Sequence, residues 1–100
     1  MIKHNAILEV NLKNLAYNYK KLSSITNQSI CAATIKADAY GIGVIKTFET
    51  LYKNKCRHFF VATTEEAIEI RNKKSLANVY VLNGLENNEL SIFNKNNIIP

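Results

Sequence analysis

Four short apolar runs, separated by stretches with helical periodicity, restrict the possible folds of this chain more than any other feature. The runs are Ser29–Lys36 (SICAATIK), His58–Ala62 (HFFVA), Val79–Asn83 (VYVLN) and a final Ile98–Pro100. The first three hardly alternate between apolar and polar residues, so each reads as a strand buried on both faces, and the last reads as the first residues of another strand. Before the first run, Leu12, Leu15, Ala16, Tyr19, Leu22 and Ile25 recur at helical spacing behind Asn11, a good N-cap, in a helix ending near Asn27. Between the runs, Ile45, Phe48, Leu51 and Tyr52 stripe a helix over Val44–Asn54. Thr63 and Glu66 have capping-box spacing ahead of Ala67, Ile68 and Ile70, in a helix reaching about Lys74. Leu90 and Phe93 anchor a weaker helical segment over Glu86–Lys95.

Strands alternating with helices in this way predict right-handed βαβ units and a parallel sheet. The fold class is therefore α/β. Three such units begin either a (β/α)8 barrel or an open doubly wound sheet, and the uniform apolarity of the strands does not separate the two. A closed eight-stranded barrel needs roughly 200 residues or more. On the barrel reading, 100 residues hold about three units and the start of a fourth strand. The expected division is an opening strand segment over 1–10, carrying the apolar Ala6–Val10, and one incomplete barrel domain over 11–100.

The net charge of +5 raises the possibility of a nucleic-acid partner. The basic residues are scattered lysines, however, and Arg57 and Arg71 are the only arginines, so the charge reads as a solvated surface. Cys31 and Cys56 are 25 positions apart without the partners a zinc site requires, and Cys31, within an apolar run, reads as a core residue. The first fifteen residues lack the apolar core of a secretion signal. No stretch approaches the roughly 20 apolar residues of a membrane span. A cytoplasmic location is expected.

Lys36 is the residue with chemical promise. It ends a strand expected to be buried, at the carboxyl edge of a parallel sheet, where α/β barrels place catalytic groups. Burial disfavours an ammonium group, leaving an amine able to act as nucleophile and base near neutral pH. Tyr40, Gly41 and Gly43 follow and lead into a helix, whose start favours a phosphate. An amine beside a phosphate-friendly turn suits a pyridoxal-phosphate (PLP) enzyme. By physics alone, a lysine that snorkels to solvent beside an ordinary Tyr-Gly-x-Gly turn is the preferred reading of these residues. Asp38 orients the loop or caps a turn. Glu65, Glu66 and Glu69 sit where they favour a helix dipole, and His58, opening a strand, reads as structural.

Thr34-Ile35-Lys36-Ala37-Asp38-Ala39-Tyr40-Gly41-x-Gly43 closely resembles the PLP-lysine motif of alanine racemases. Glu9-Val10-Asn11-Leu12-x-x-Leu15-x-x-Asn18 is similar to that family's entry into its first helix. Phe60-Val61-Ala62-Thr63-x-Glu65-Glu66-Ala67-x-Glu69-x-Arg71 resembles its third-unit signature, and Val79-Tyr80-Val81-Leu82-Asn83-Gly84 is similar to its apolar strand ending in glycine. The likeness spans about residue 7 to 100 and favours the barrel, here a partial TIM barrel. It implies that Lys36 carries PLP covalently and serves as one of two acid/base groups. It further implies that Tyr40 hydrogen-bonds the phosphate, and that Tyr80 and Leu82, two residues apart on one strand face, line the cofactor pocket. Leucine is usual where Tyr80 stands, so the tyrosine crowds or rewires that wall. Ile42 replaces the usual histidine between the glycines.

The implied activity is interconversion of L- and D-alanine, supplying D-alanine for peptidoglycan. In the family the second base is a tyrosine of the partner subunit in a homodimer, and an arginine faces the cofactor's ring nitrogen. Both come from beyond residue 100. The chain alone is therefore expected to be an inactive, weakly stable fragment with exposed strand edges. The alternative is a non-catalytic PLP-binding or interaction module that complements a separate polypeptide. No metal, nucleic-acid or membrane partner is expected.

Overall fold

The computed structural model describes residues 9–26, 29–73 and 75–100. The opening segment lies outside these except for Glu9 and Val10, which belong to no regular element. The elements run α1 (Leu12–Ile25), β1 (Ala33–Thr34), α2 (Lys36–Tyr40), α3 (Val44–Lys53), β2 (His58–Val61), α4 (Thr64–Arg71), β3 (Asn78–Val81), α5 (Leu90–Asn96) and β4 (Ile98–Ile99). The four strands form one parallel sheet in the order β1-β2-β3-β4. Successive strands are thus neighbours, the arrangement of a barrel arc built from βα units.

Local chemistry sets the helix starts. The Asn11 side chain accepts from the Asn14 amide at 3.0 Å and begins α1. Thr63 and Glu66 form the reciprocal capping box that begins α4. At the other end of α4, Arg71 donates to the carbonyls of Ala77 (2.7 Å), Asn97 (3.1 Å) and Ser75 (3.3 Å), tying the entries to β3 and β4 together. Segment α5 starts at Leu90, four residues later than its polar opening suggests, and ends on Asn97 in the left-handed conformation.

The core lies between the sheet and the helices. Phe59, Val61, Val79 and Val81 point into it and are almost fully buried, together with Phe48, Leu51, Ala67, Ile70 and Phe93. Phe48 packs on Phe59 with ring centroids 4.7 Å apart. The intervening strand residues His58, Phe60, Asn78 and Tyr80 are only half-buried. The expectation of strands buried on both faces is therefore corrected: the helices cover one face, and no second layer covers the other among the described residues. The apolar stripe of α1 is likewise half used, since Leu15 and Tyr19 pack on the core while Leu22 and Ile25 are exposed.

The first strand is also shorter than its apolar run. Ala33 pairs with Phe59, which sets Ile30 and Cys31 opposite Cys56 and Arg57, ahead of β2, where the ladder has not begun. The core cysteine is Cys56, fully buried, rather than the half-buried Cys31.

Candidate functional site

Lys36 leaves the carboxyl end of β1 and is half-buried. The next four residues, Ala37, Asp38, Ala39 and Tyr40, all have φ between 53° and 57°. They form a turn of left-handed helix, closed by bonds from Ala39 N–H to Ile35 O (3.0 Å) and from Gly41 N–H to Ala37 O (3.1 Å). Left-handed helix costs L-residues about 1–2 kcal/mol each. Nothing in the local sequence except Asp38 favours it. Strain of this kind persists only where the surroundings over-determine it, and it concentrates at functional sites.

Two carboxylates hold the turn. Asp38 Oδ1 accepts from the Val44 amide at 2.8 Å, and the Asp38 carbonyl accepts from Gly43 at 2.9 Å, fastening the turn to the start of α3. Glu66 Oε2 accepts from the Ala37 amide at 2.7 Å, fastening its beginning to α4. The first bond corrects the expectation that the start of α3 favours phosphate. A carboxylate already satisfies its first amide, and an anion placed there meets like charge.

The other candidates are divided between two surfaces, with Tyr40 lining a cleft beside Leu15, Tyr19 and Leu51 and Tyr80 lying on the uncovered face of the sheet. Tyr40 closes it with 63% of its surface exposed. Thr34, Phe60 and Tyr80 are register partners across three strands, in one row on the uncovered face. Tyr80 stacks on Phe60 at 4.6 Å and lies 2.8 Å from His58 Nδ1 through its hydroxyl. The tyrosine that departs from the family pattern thus has a polar partner, and His58 is that partner. His58, Phe60 and Tyr80, with Ile30 and Ala32, line a shallow apolar hollow. Leu82 follows β3, 53% exposed, with its amide bonded to Val61 O at 2.8 Å. Lys36 and Leu82 each lie two residues beyond this row, on the carboxyl rim of the sheet.

The residue types suit PLP: one primary amine for an aldehyde, an exposed phenol four residues on, and an apolar strand face ending at the same rim of the sheet. Adding a Cβ to Gly41 or Gly43 would meet nothing within 4 Å, so the end of the turn is open. Among the described residues, no group of three metal-ligating side chains occurs, and no helix is long and apolar enough to cross a membrane. Sequence reasoning missed the long-range role of Glu66. Its capping-box spacing was visible, but a bond to a residue 29 positions away leaves no local signal.

Residues 10–100 match the family described as "Alanine racemase, N-terminal domain". An alanine racemase from Rickettsia africae is 40% identical over 79 residues, covering 78% of this chain and 22% of that protein. One from Methylobacterium is 45% identical over 82 residues, 82% of this chain and 22% of that protein. The solved alanine racemase from Bartonella henselae, with covalently bound pyridoxal phosphate, superposes with a TM-score of 0.86 at 32% identity, over 91% of this chain and 26% of that one. The Clostridium difficile enzyme gives 0.81 at 31% identity, over 89% of this chain and 24% of that one. The chain spans about a quarter of the length of these relatives.

Proposed function

Because the chain belongs to the alanine racemase family, through that family's amino-terminal TIM-barrel domain, we propose that it supplies the cofactor-lysine half of a PLP-dependent amino-acid racemase. The substrate would be alanine, with D-alanine destined for peptidoglycan. The observation that carries this reading is the setting of Lys36: an amine on the carboxyl rim of a parallel sheet, opening a left-handed turn fastened at both ends.

Bound PLP supplies an electron-withdrawing ring that makes the Cα proton of an amino acid removable. Lys36 would hold the cofactor covalently and move that proton on one face of the substrate. The Tyr40 hydroxyl would donate to the phosphate. Tyr80 and Leu82 would form the apolar wall beside the ring, with the Tyr80 hydroxyl kept turned toward His58. Racemisation also needs an acid on the opposite face, which this reading assigns to residues outside the chain, in a homodimer as proposed for the whole enzyme. A cytoplasmic location follows from the same reading.

The test is complementation. The chain, PLP and L-alanine are incubated with and without a polypeptide carrying the remaining three quarters of a relative. D-Alanine should form only in the mixture and vanish with Lys36→Ala. A mixture that binds PLP through Lys36 yet never racemises would favour a cofactor-binding module without catalysis.

A further inference from the structure

Glu66 accepts more bonds than capping a helix requires. Its Oε1 takes the amides of Ala62 and Thr63, each at 3.0 Å, and the Thr63 hydroxyl at 3.3 Å; the Thr63 amide bond, with the Glu66 amide donating to Thr63 Oγ1 at 3.3 Å, makes the capping box. Its Oε2 is not needed for that purpose and reaches the Ala37 amide at 2.7 Å, the shortest of the four contacts. The Ala37 amide shares a rigid peptide plane with the carbonyl of Lys36. Whatever fixes that N–H also fixes the direction in which the chain leaves the Lys36 Cα. It simultaneously holds the first of four residues in a strained left-handed conformation. An ionised carboxylate accepts without donating and forms short, charge-assisted bonds, so it suits this task better than an amide would.

We infer that Glu66 is a positioning residue for Lys36, linking the α4 cap to the peptide that carries the cofactor amine. This rests on the proposed role of Lys36. Glu66 itself touches neither cofactor nor substrate in this account. It acts by keeping the lysine backbone in one geometry before the cofactor arrives.

The two tasks of Glu66 can be separated. In Glu66→Gln the side-chain carbonyl can still accept from Ala62 and Thr63, while its NH2 group then faces the Ala37 N–H and cannot accept. Thr63→Ala weakens the cap from the other side and leaves Ala37 alone. Glu66→Gln should speed hydrogen exchange of the Ala37 amide about ten-fold and weaken PLP adduct formation at Lys36 about five-fold, as expected for losing one charge-assisted bond. Thr63→Ala should lower the melting temperature while moving neither reading. In the unmutated chain, a scalar coupling between the Ala37 amide nitrogen and the Glu66 carboxyl carbon should be detectable by NMR. Absence of that coupling overturns the inference without reference to any variant. Equal effects of the two variants on the adduct, in proportion to lost stability, would also overturn it by reducing Glu66 to a helix cap. If the unmutated chain forms no Lys36 adduct at all, the proposed function fails, while the exchange and coupling readings still decide whether Glu66 holds Ala37.

Discussion

His58 and Tyr80 are joined across β2 and β3: His58 Nδ1 lies 2.8 Å from the Tyr80 hydroxyl, and the two rings stack with centroids 5.9 Å apart. Tyr80 also stacks on Phe60. Tyr80→Phe keeps the stacking and deletes the polar contact, so it should cost about 1 kcal/mol in urea denaturation. A double-mutant cycle with His58→Ala should return a coupling of similar size. A coupling near zero would mean that the hydroxyl finds water instead.

The left-handed turn makes an unusual stability prediction. Glycine at Ala37 removes about 1–2 kcal/mol of steric strain. It returns roughly 0.4–1 kcal/mol as added freedom of the unfolded chain. Ala37→Gly, at an exposed position with φ 53°, should therefore raise stability by about 0.5 kcal/mol. Ala37→Val, with a branched Cβ in the same conformation, should lower it by more than about 1 kcal/mol. Thermal denaturation followed by circular dichroism distinguishes the two directions.

Much of this architecture is legible in the residues themselves. The positions of β2, β3 and α4 follow from local signals: apolar runs at regular spacing, and a Thr63–Glu66 cap that forms as its spacing predicts. What escaped is non-local. Alanine disfavours the left-handed region, so Ala37 and Ala39 conceal the turn they occupy. The Asp38 carboxylate occupies the start of α3, a position that looks open to phosphate when only the glycines are considered. The uniform apolarity of the strands implies two covered faces, whereas the helices cover one.

Arg71 should matter to stability beyond the charge it carries. Its fork joins two carbonyls of the segment entering β3 to one of the segment entering β4, and burial draws its pKa below the usual guanidinium range. Arg71→Met should destabilise by about 2 kcal/mol, and Arg71→Lys should recover only part, because a lysine cannot reproduce the fork. Chemical denaturation of the two variants checks the order.

Tyr19 predicts an alkaline transition. Burial, with the Cys56 thiol nearby, pushes its pKa up from 10.0 to about 12. Below pH 10 the phenol is protonated in both folded and unfolded chains, and its contribution to pH dependence is flat. Between pH 10 and about 12 the unfolded chain releases the proton while the folded chain keeps it, so stability falls as pH rises. Tyr19→Phe should flatten part of that fall in melting temperature. A phenolate absorbance step for Tyr19 near pH 10 in the folded chain would contradict it.

Lys36 is one amine among eleven lysines. The chain is incubated with limiting PLP, the product is fixed with borohydride, and the modified peptides are mapped by mass spectrometry. A single dominant adduct should form on Lys36 and be lost in Lys36→Ala without transfer to another lysine. Label spread over the exposed lysines, with Lys36 no more modified than the rest, would contradict it.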